Sequence, residues 1–287
     1  MRRVIINADD FGLSPGVNRG ILEAFRHGIL SSTTMLVNLA HFDDAVGLAA
    51  DNPDLPVGVH LSLLWGPPVS DPATVPTLIE RDGCFPRSLL VLARRYALGR
   101  LCVDQVRMEL RAQMARFRGA GLTPTHVDTH KHVHCLPGIL AAVADVAAEC
   151  GVHRARLPYE ERLGHSGGMG RAQPRPALKA RLKSRIVGYF CRHGRAALAH
   201  RGLRTTDHFV GIEYQDSLDS ERLRSVLSSL REGVTEVMCH PGYADAPARH
   251  YSRTPPHREI ELAALTDPRT GMVLESGGIQ LVSYADL

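Results

Sequence analysis

Residues 125–134 read Thr-His-Val-Asp-Thr-His-Lys-His-Val-His, so four histidines and one aspartate lie within ten residues. Because side chains alternate between the two faces of a β-strand, a strand here would direct His126, Asp128 and His130 to one face. Converging imidazole and carboxylate groups are typical ligands of a divalent cation. A solvated histidine-rich loop is the alternative, but Pro137 and the apolar residues after it indicate an ordered helix. The stretch therefore predicts a strand, a polar site and then a helix.

The same order of strand and helix repeats along the chain. Val4 to Asn7 predicts the first strand, and Ser14 and Pro15 then provide an N-cap and a first helical turn. No glycine-rich nucleotide-binding motif follows this strand. The repetition predicts a parallel sheet, and seven or eight units favour an α/β, TIM-barrel-like (β/α) barrel. The predicted strands are 4–7, 33–37, 56–61, 125–129, 154–157, 209–212, 235–239 and 279–283.

Length and composition predict one barrel domain over residues 1–287. The chain is 44% hydrophobic, which suits one large core. Two less regular stretches, 64–103 and 160–206, are predicted to be insertions on that domain. The formal net charge of +4 hints at an anionic partner without requiring nucleic acid, and we expect no nucleic-acid partner.

The cysteines and the N-terminal residues indicate the cellular compartment of the protein. Six cysteines without CxxC spacing fit a reducing compartment better than a disulfide framework. The apolar run that begins at Val4 is too short for a signal peptide, and no apolar run approaches the length that spans a membrane. We therefore expect a cytoplasmic protein.

Polar clusters recur where the predicted strands end. Asp9 and Asp10 follow the first strand, His60 lies in the third, and His240 follows the strand 235–239. In parallel α/β folds, catalytic groups lie at the carboxyl ends of strands. One aspartate could bind a cation while the other accepts a proton, and His240 could act as a general acid. The alternatives are an Asx-type turn at the aspartates and structural roles for the two histidines.

In this order and spacing, the motifs resemble one family. The segments NADDFG, SSTTMLVN, GVHLSL, THVDTHKHVH and EVMCHPGY resemble the YdjC-like carbohydrate deacetylases, which include chitooligosaccharide deacetylases and hopanoid biosynthesis-associated relatives. The resemblance extends from residue 3 to residues 280–287 and is weakest over the two insertions. It implies a TIM-barrel-like fold and removal of the acetyl group from an N-acetylated amino sugar of an oligosaccharide or glycolipid, with release of acetate.

The resemblance also implies roles for individual residues. It implies one divalent metal ion with three ligands: Asp10, His60 and His130. The ligand chemistry leaves Mg²⁺ and Zn²⁺ open as the metal. The general base would be Asp9 and the general acid His240. The residues that would bind substrate or support the ligands are His126, Asp128 and Asn7. One departure concerns Leu61 to Leu64, where many relatives carry Asn or Thr shortly after the third-strand histidine, so the substrate contact there is not predicted.

Two other functions would suit a barrel with these residues. A metal-dependent sugar isomerase or epimerase would usually have more carboxylate ligands or a lysine near the metal, and neither is evident. A non-catalytic sugar- or lipid-binding barrel would not need the intact set of aspartates and histidines. Release of acetate distinguishes the deacetylase from both.

The second insertion contains a basic segment with an apolar period. Leu178, Leu182, Ile186 and Phe190 recur every four residues and predict one stripe on a helix. One interpretation is that this stripe packs on the barrel or on a second subunit, in a homodimer. The other is that residues 178–192 make a weak contact with an anionic membrane. The cations near the stripe are Lys179, Lys183, Arg185 and Arg192.

Overall fold

A computed structural model describes residues 1–160, 178–215, 217–251 and 256–287 of the protein. Its strands are all parallel and form one sheet. They are β1 (Arg2–Phe11), β2 (Ser32–Met35), β3 (Val57–Leu61), β4 (Val127–Thr129), β5 (His208–Val210), β6 (Gly233–Cys239) and β7 (Ile279–Leu281). The order along the sheet is β4-β3-β2-β1-β6-β5, and β7 also pairs with β1. Strand β1 is long enough to pair with β7 at its start and with β2 at its end.

The sheet is curled, and the segment 154–160 lies between its two outer strands. A parallel bridge joins Val127 of β4 to Ala155, and another joins Glu160 to Phe209 of β5. Here the sequence predicted a full strand over 154–157, but Pro158 lacks the backbone N–H that a continuous ladder needs. The curled parallel sheet confirms an α/β, barrel-like fold, and the regular TIM barrel stays a prediction.

Helices follow the strands, as the alternating pattern predicts. Helix α1 begins at the expected N-cap, where the Ser14 hydroxyl accepts a hydrogen bond from the Val17 N–H at 3.1 Å, and it ends at Gly28. The helices are α1 (Pro15–His27), α2 (Phe42–Ala50), α3 (Leu89–Ala97), α4 (Val103–Gly119), α5 (Pro137–Glu149), α6 (Leu178–Cys191), α7 (Gly194–Ala199), α8 (Ser220–Ser228), α9 (Ala246–Tyr251), α10 (Pro256–Thr266) and α11 (Pro268–Ser276). None of the described helices has both the length and the apolar character needed to cross a bilayer.

The two predicted insertions differ in how they meet the core. Val75, Leu78 and Phe85 of the first are buried against the barrel. Of the second, residues 161–177 lie outside the described residues, and α6 and α7 follow. The expectation that the α6 stripe packs on the barrel is wrong, because Leu182 is 57% exposed and Ile186 is 52% exposed.

Candidate metal-binding and catalytic site

The strand ends converge on one open cavity. Asp9 and Asp10 lie near the end of β1, and His60 lies in β3. His130 directly follows β4, and His240 directly follows β6. All five side chains line the cavity, so the structure brings together the residues that the sequence predicted at separate strand ends.

Strained backbone is concentrated around the same cavity. Four non-glycine residues in the described part have positive φ: Asp10, Trp65, Lys131 and His132, with φ between 54° and 73°. All four line the cavity. Such conformations are unfavourable for most side chains, and they persist where the surrounding structure holds them, commonly at functional sites.

Asp10, His60 and His130 direct three potential ligand atoms toward one point. The Asp10 Oδ1 lies 3.2 Å from the His130 Nδ1 and 3.6 Å from the His60 Nε2. The two imidazole nitrogens are 3.3 Å apart. All three residues are buried. One carboxylate oxygen and two imidazole nitrogens form a donor set that suits a divalent cation and leaves coordination positions open.

Asp128 orients His60 from behind. Its Oδ1 lies 2.6 Å from the His60 Nδ1, so the Nε2 points toward Asp10. Hydrogen bonding of this kind fixes the tautomer and ring orientation of metal-binding histidines. Burial opposes charge on His60, but the Asp128 carboxylate outweighs it and raises the pKa of His60 to about 9. At the neighbouring His130, burial outweighs the Asp10 carboxylate and lowers the pKa to about 4. In this pair, His60 is therefore the imidazole that holds a proton when no metal ion competes for the site.

Arg258 holds the other side of Asp10. The Arg258 Nη2 lies 2.5 Å from the Asp10 Oδ2, which leaves Oδ1 facing the two histidines. Although burial favours the neutral acid, Arg258 and His130 keep the pKa of Asp10 well below its ordinary value. Asp10 is therefore an ionised carboxylate with one oxygen directed at the predicted metal site.

Asp9 faces a different arginine. The Arg156 guanidinium binds Asp9 with two parallel bonds of 2.7 Å, and the Asn7 Nδ2 donates to the Asp9 Oδ1 at 3.1 Å. Asp9 also belongs to a second group of close ligand atoms with His60 and Asp128. The Arg156 guanidinium binds both carboxylates of that group, whereas in the group with Asp10 the Arg258 guanidinium binds Oδ2 and Oδ1 faces the histidines.

Arg156 is the centre of the buried charge network. It is fully buried, and its Nε donates to Glu236 at 2.8 Å while its Nη1 lies 2.5 Å from Asp128. The Tyr284 hydroxyl donates to the second Glu236 oxygen. Removing a guanidinium from water is costly, and this burial is tolerable because three carboxylates surround it. The network holds Asp9 and Asp128 in place from below the cavity.

His240 lines the same cavity beside Asp9. Its Nε2 is 3.9 Å from the Asp9 Oδ2, and its Nδ1 is 4.0 Å from the Glu261 Oε2. The same Glu261 oxygen accepts the His240 backbone N–H at 2.5 Å. His240 is partly exposed whereas Glu261 is buried. This arrangement places one carboxylate on each side of an imidazole that the cavity can reach.

Two further histidines of the 125–134 run, His126 and His134, lie deeper, whereas His132 lines the cavity. His126 does not line the cavity but stacks on Tyr284, with ring centroids 3.6 Å apart, where the missing side chain of Gly58 leaves room. Burial lowers the pKa of His126 to about 3, so it is neutral. His134 bonds the Thr129 hydroxyl and the Arg156 carbonyl. These two histidines pack the interior beneath the strand ends.

Sequence reasoning missed three residues that shape the site. Arg156 stands in a segment that was predicted only as a strand, and nothing nearby in sequence indicates its distant carboxylate partners. Arg258 lies in α10, about 250 residues from Asp10. Trp65, the single tryptophan, contacts the His130 ring, with centroids 4.5 Å apart. The one sequence feature that could have pointed to Trp65 is its position just after the atypical segment Leu61 to Leu64.

Comparison with known proteins agrees with the class of site that this geometry defines. The chain belongs to the YdjC-like protein family, whose model matches residues 3–276. A protein of Geobacillus stearothermophilus named carbohydrate deacetylase is 38% identical to it, over 99% of this chain and 98% of that protein. A chitooligosaccharide deacetylase of Yersinia enterocolitica is 33% identical, over 99% and 98% of the two chains.

Relatives extend beyond bacteria and include a solved structure. A human protein named carbohydrate deacetylase is 34% identical, over 99% of this chain and 91% of its own length. A crystal structure of an Enterococcus faecalis protein matches with a TM-score of 0.79 at 26% identity, covering 99% of this chain and 98% of the other. The fold and the family resemblance therefore extend over essentially the whole chain.

Proposed function

We propose that this protein is a metal-dependent hydrolase that removes the acetyl group from an N-acetylated amino sugar and releases acetate. The observation that carries the proposal is the convergence of Asp10, His60 and His130 beside Asp9 and His240 in one cavity. The names of the family members support the same reaction class. The substrate would be an oligosaccharide or a glycolipid.

The residues fit a resident metal ion. Asp10, His60 and His130 would hold it, with Asp128 and Arg258 fixing the orientation of the first two. A divalent ion such as Mg²⁺ or Zn²⁺ would supply Lewis acidity, polarising the acetamide carbonyl and stabilising negative charge that develops on its oxygen. Two imidazoles favour Zn²⁺, while open coordination positions that oxygen ligands would fill also suit Mg²⁺.

Asp9 is proposed as the general base. Its Oδ1 is used by Arg156 and Asn7, whereas its Oδ2 has one guanidinium partner and faces His240. A carboxylate oxygen has two lone pairs, so Oδ2 keeps capacity to accept a proton from the attacking water. Arg156 fixes the carboxylate plane and thereby the direction from which the proton arrives.

His240 is proposed as the general acid. Amide cleavage expels an amine, which is a poor leaving group unless its nitrogen is protonated. The His240 Nε2 borders the cavity near Asp9, and a proton on that atom could pass to the sugar nitrogen as the C–N bond breaks. The Glu261 carboxylate anchors the backbone at this position and lies 4.0 Å from the His240 Nδ1.

Trp65 is proposed to form the wall against which the sugar lies. It is next to His130, and the Lys131 Nζ lies 3.9 Å from the ring centroid on one face. An indole ring provides a rigid apolar surface that suits the C–H face of a pyranose. It would position the acetamido group over the metal ligands while the polar groups of the cavity bind hydroxyls.

An acetate-release screen tests the proposal. The purified chain would be incubated with N-acetylglucosamine oligomers and with N-acetylated glycolipids, in parallel with added Mg²⁺, Zn²⁺ or Co²⁺, and acetate would be measured enzymatically. We expect stoichiometric acetate and free amine from at least one substrate. A sugar product of unchanged composition would indicate an isomerase or epimerase, and saturable binding without turnover would indicate a binding protein.

A further inference from the structure

Helix α6 is packed the opposite way round from a usual surface helix, in which the bulky apolar residues face inward. Its two buried residues are Ser184 and Cys191, and Gly188 lies against the Tyr159 ring. These small residues face the protein together with Val187, which packs on the core. Four larger apolar residues face outward, and we call them the outer face: Leu178, 79% exposed; Tyr189, 68%; Leu182, 57%; and Ile186, 52%.

The rotation of α6 about its axis is fixed by its inner contacts. Ser184 hydrogen-bonds the half-buried Glu160 carboxylate, which also accepts the Gly211 N–H at 2.8 Å. One helical turn beyond Gly188, the Cys191 Sγ lies 3.2 Å from the Cys135 Sγ. Because these contacts hold the inner side, the outer face cannot turn inward without losing them. Within the part of the chain that the structure describes, its apolar surface stays exposed and can meet an external partner.

Cations border the outer face on both sides. At 100° per residue, Arg181 and Arg185 lie along one edge of the face, and Lys179 and Lys183 lie along the other. The helix contains no aspartate or glutamate. An apolar strip between two cationic edges matches a surface that has an apolar interior and anionic groups at its boundary.

We propose that the outer face of α6 docks on the surface of an anionic lipid bilayer. The apolar side chains would enter the boundary between headgroups and acyl chains, and the flanking cations would contact anionic headgroups. Charge decides against a second copy of this chain as the partner, because a two-fold contact through α6 would bring two cationic edges together. The docking does not depend on the proposed reaction, since Lys183 is the α6 residue that lines the cavity and the outer face lies apart from it.

The test is co-sedimentation of the full chain with vesicles of phosphatidylcholine alone or with added phosphatidylglycerol, at several salt concentrations. The apolar variant is Leu182→Ser with Ile186→Ser, and its control is Ile260→Ser with Met272→Ser, exposed residues on α10 and α11. The charge variant is Lys179→Glu with Arg185→Glu, and its control is Arg100→Glu with Arg118→Glu. Thermal unfolding verifies that each variant is folded.

We expect binding that requires phosphatidylglycerol and weakens as salt rises. The apolar and charge variants should each bind at least about tenfold more weakly, because each loses inserted apolar area or cationic contacts, while both controls bind like the original chain. No binding at low salt would overturn the proposal, as would equal binding by all variants. Self-association of the original chain that the apolar variant abolishes would also overturn it, because a second copy would then cover this face.

Discussion

At the strand ends charged side chains are buried, whereas on helix α6 apolar side chains are exposed. At the strand ends, Arg156 is fully buried and pairs with three carboxylates of the same chain. On α6, Leu178 and Leu182 face outward and their complement is missing from the described protein. A buried charge therefore indicates that its partners lie inside the fold, whereas an exposed apolar face indicates a partner outside it. Variants at the strand ends test the first half of this contrast, and the vesicle experiment tests the second.

The largest effect is expected from the metal ligands. Changing Asp10, His60 or His130 to Ala removes one of three donors, and each variant should lose most bound metal and nearly all acetate release. Metal content is measured by elemental analysis of the purified chain. The control is His132→Ala, a buried histidine of the same run that is outside the ligand group and should keep the metal. Full metal occupancy in His130→Ala would show that the ligand set is wrong.

Metal content and acetate release should distinguish the role of Asp9 from that of Asp10. Asp9→Asn keeps a side chain that fits beside Arg156 but cannot accept the proton, so the metal should remain while the rate falls roughly two to four orders of magnitude. His240→Ala should also keep the metal, with its largest effect on the alkaline limb of the pH–rate profile. If Asp9→Asn loses the metal, the two aspartates have exchanged roles.

Replacing Arg156 tests how much the stability of the protein depends on the pairing of buried charges. Arg156→Met leaves Asp9, Asp128 and Glu236 buried without their cation, and we expect a loss of about 3–5 kcal/mol in the free energy of unfolding. The matched control is Arg111→Met, which breaks an exposed pair with Glu149 and should cost about 0–1 kcal/mol. Urea unfolding of both variants measures the difference. Equal losses would show that burial does not distinguish the two arginines.

The smallest predicted effect concerns pH. Burial lowers the pKa of His126 to about 3, whereas in the unfolded chain it is about 6.5. As pH falls through this interval, the unfolded state binds a proton that the folded state does not, so stability decreases. The slope from one such group is up to about 1.4 kcal/mol per pH unit. His126→Phe keeps the stacking on Tyr284 and should reduce this slope, which exposed His153→Phe should leave unchanged. Identical slopes in urea unfolding between pH 4 and 6.5 would contradict the prediction.

Local sequence predicted the units of the fold because the periodicity of side chains is local. Ser14 and Pro15 predicted the start of α1, and the strand β4 followed from the alternation through Asp128. The barrel-like curl also follows from the repeated units. The segment 154–157 was predicted as a strand, yet it forms isolated bridges, because its pairing is limited by Pro158 and by neighbours that are distant in sequence.

The site was predictable where it lies at strand ends and not where it depends on tertiary partners. Asp10, His60 and His130 carry recognisable metal-ligand chemistry in sequence, and the structure brings them together. Arg156 and Arg258 are two of many arginines in the chain, and only the fold reveals that their partners are Asp9 and Asp10. For α6, periodicity found the apolar stripe but could not give its direction, since that depends on which side of the helix has small residues that fit the protein.

The most direct test of the account is acetate release by the chain after its metal has been removed and returned. Chelation verified by elemental analysis should abolish acetate release, and about one divalent ion per chain should restore it. The same addition should restore nothing in His60→Ala, whose ligand set is incomplete. Undiminished acetate release from fully stripped protein would contradict the claim that Asp10, His60 and His130 hold the ion on which the reaction depends.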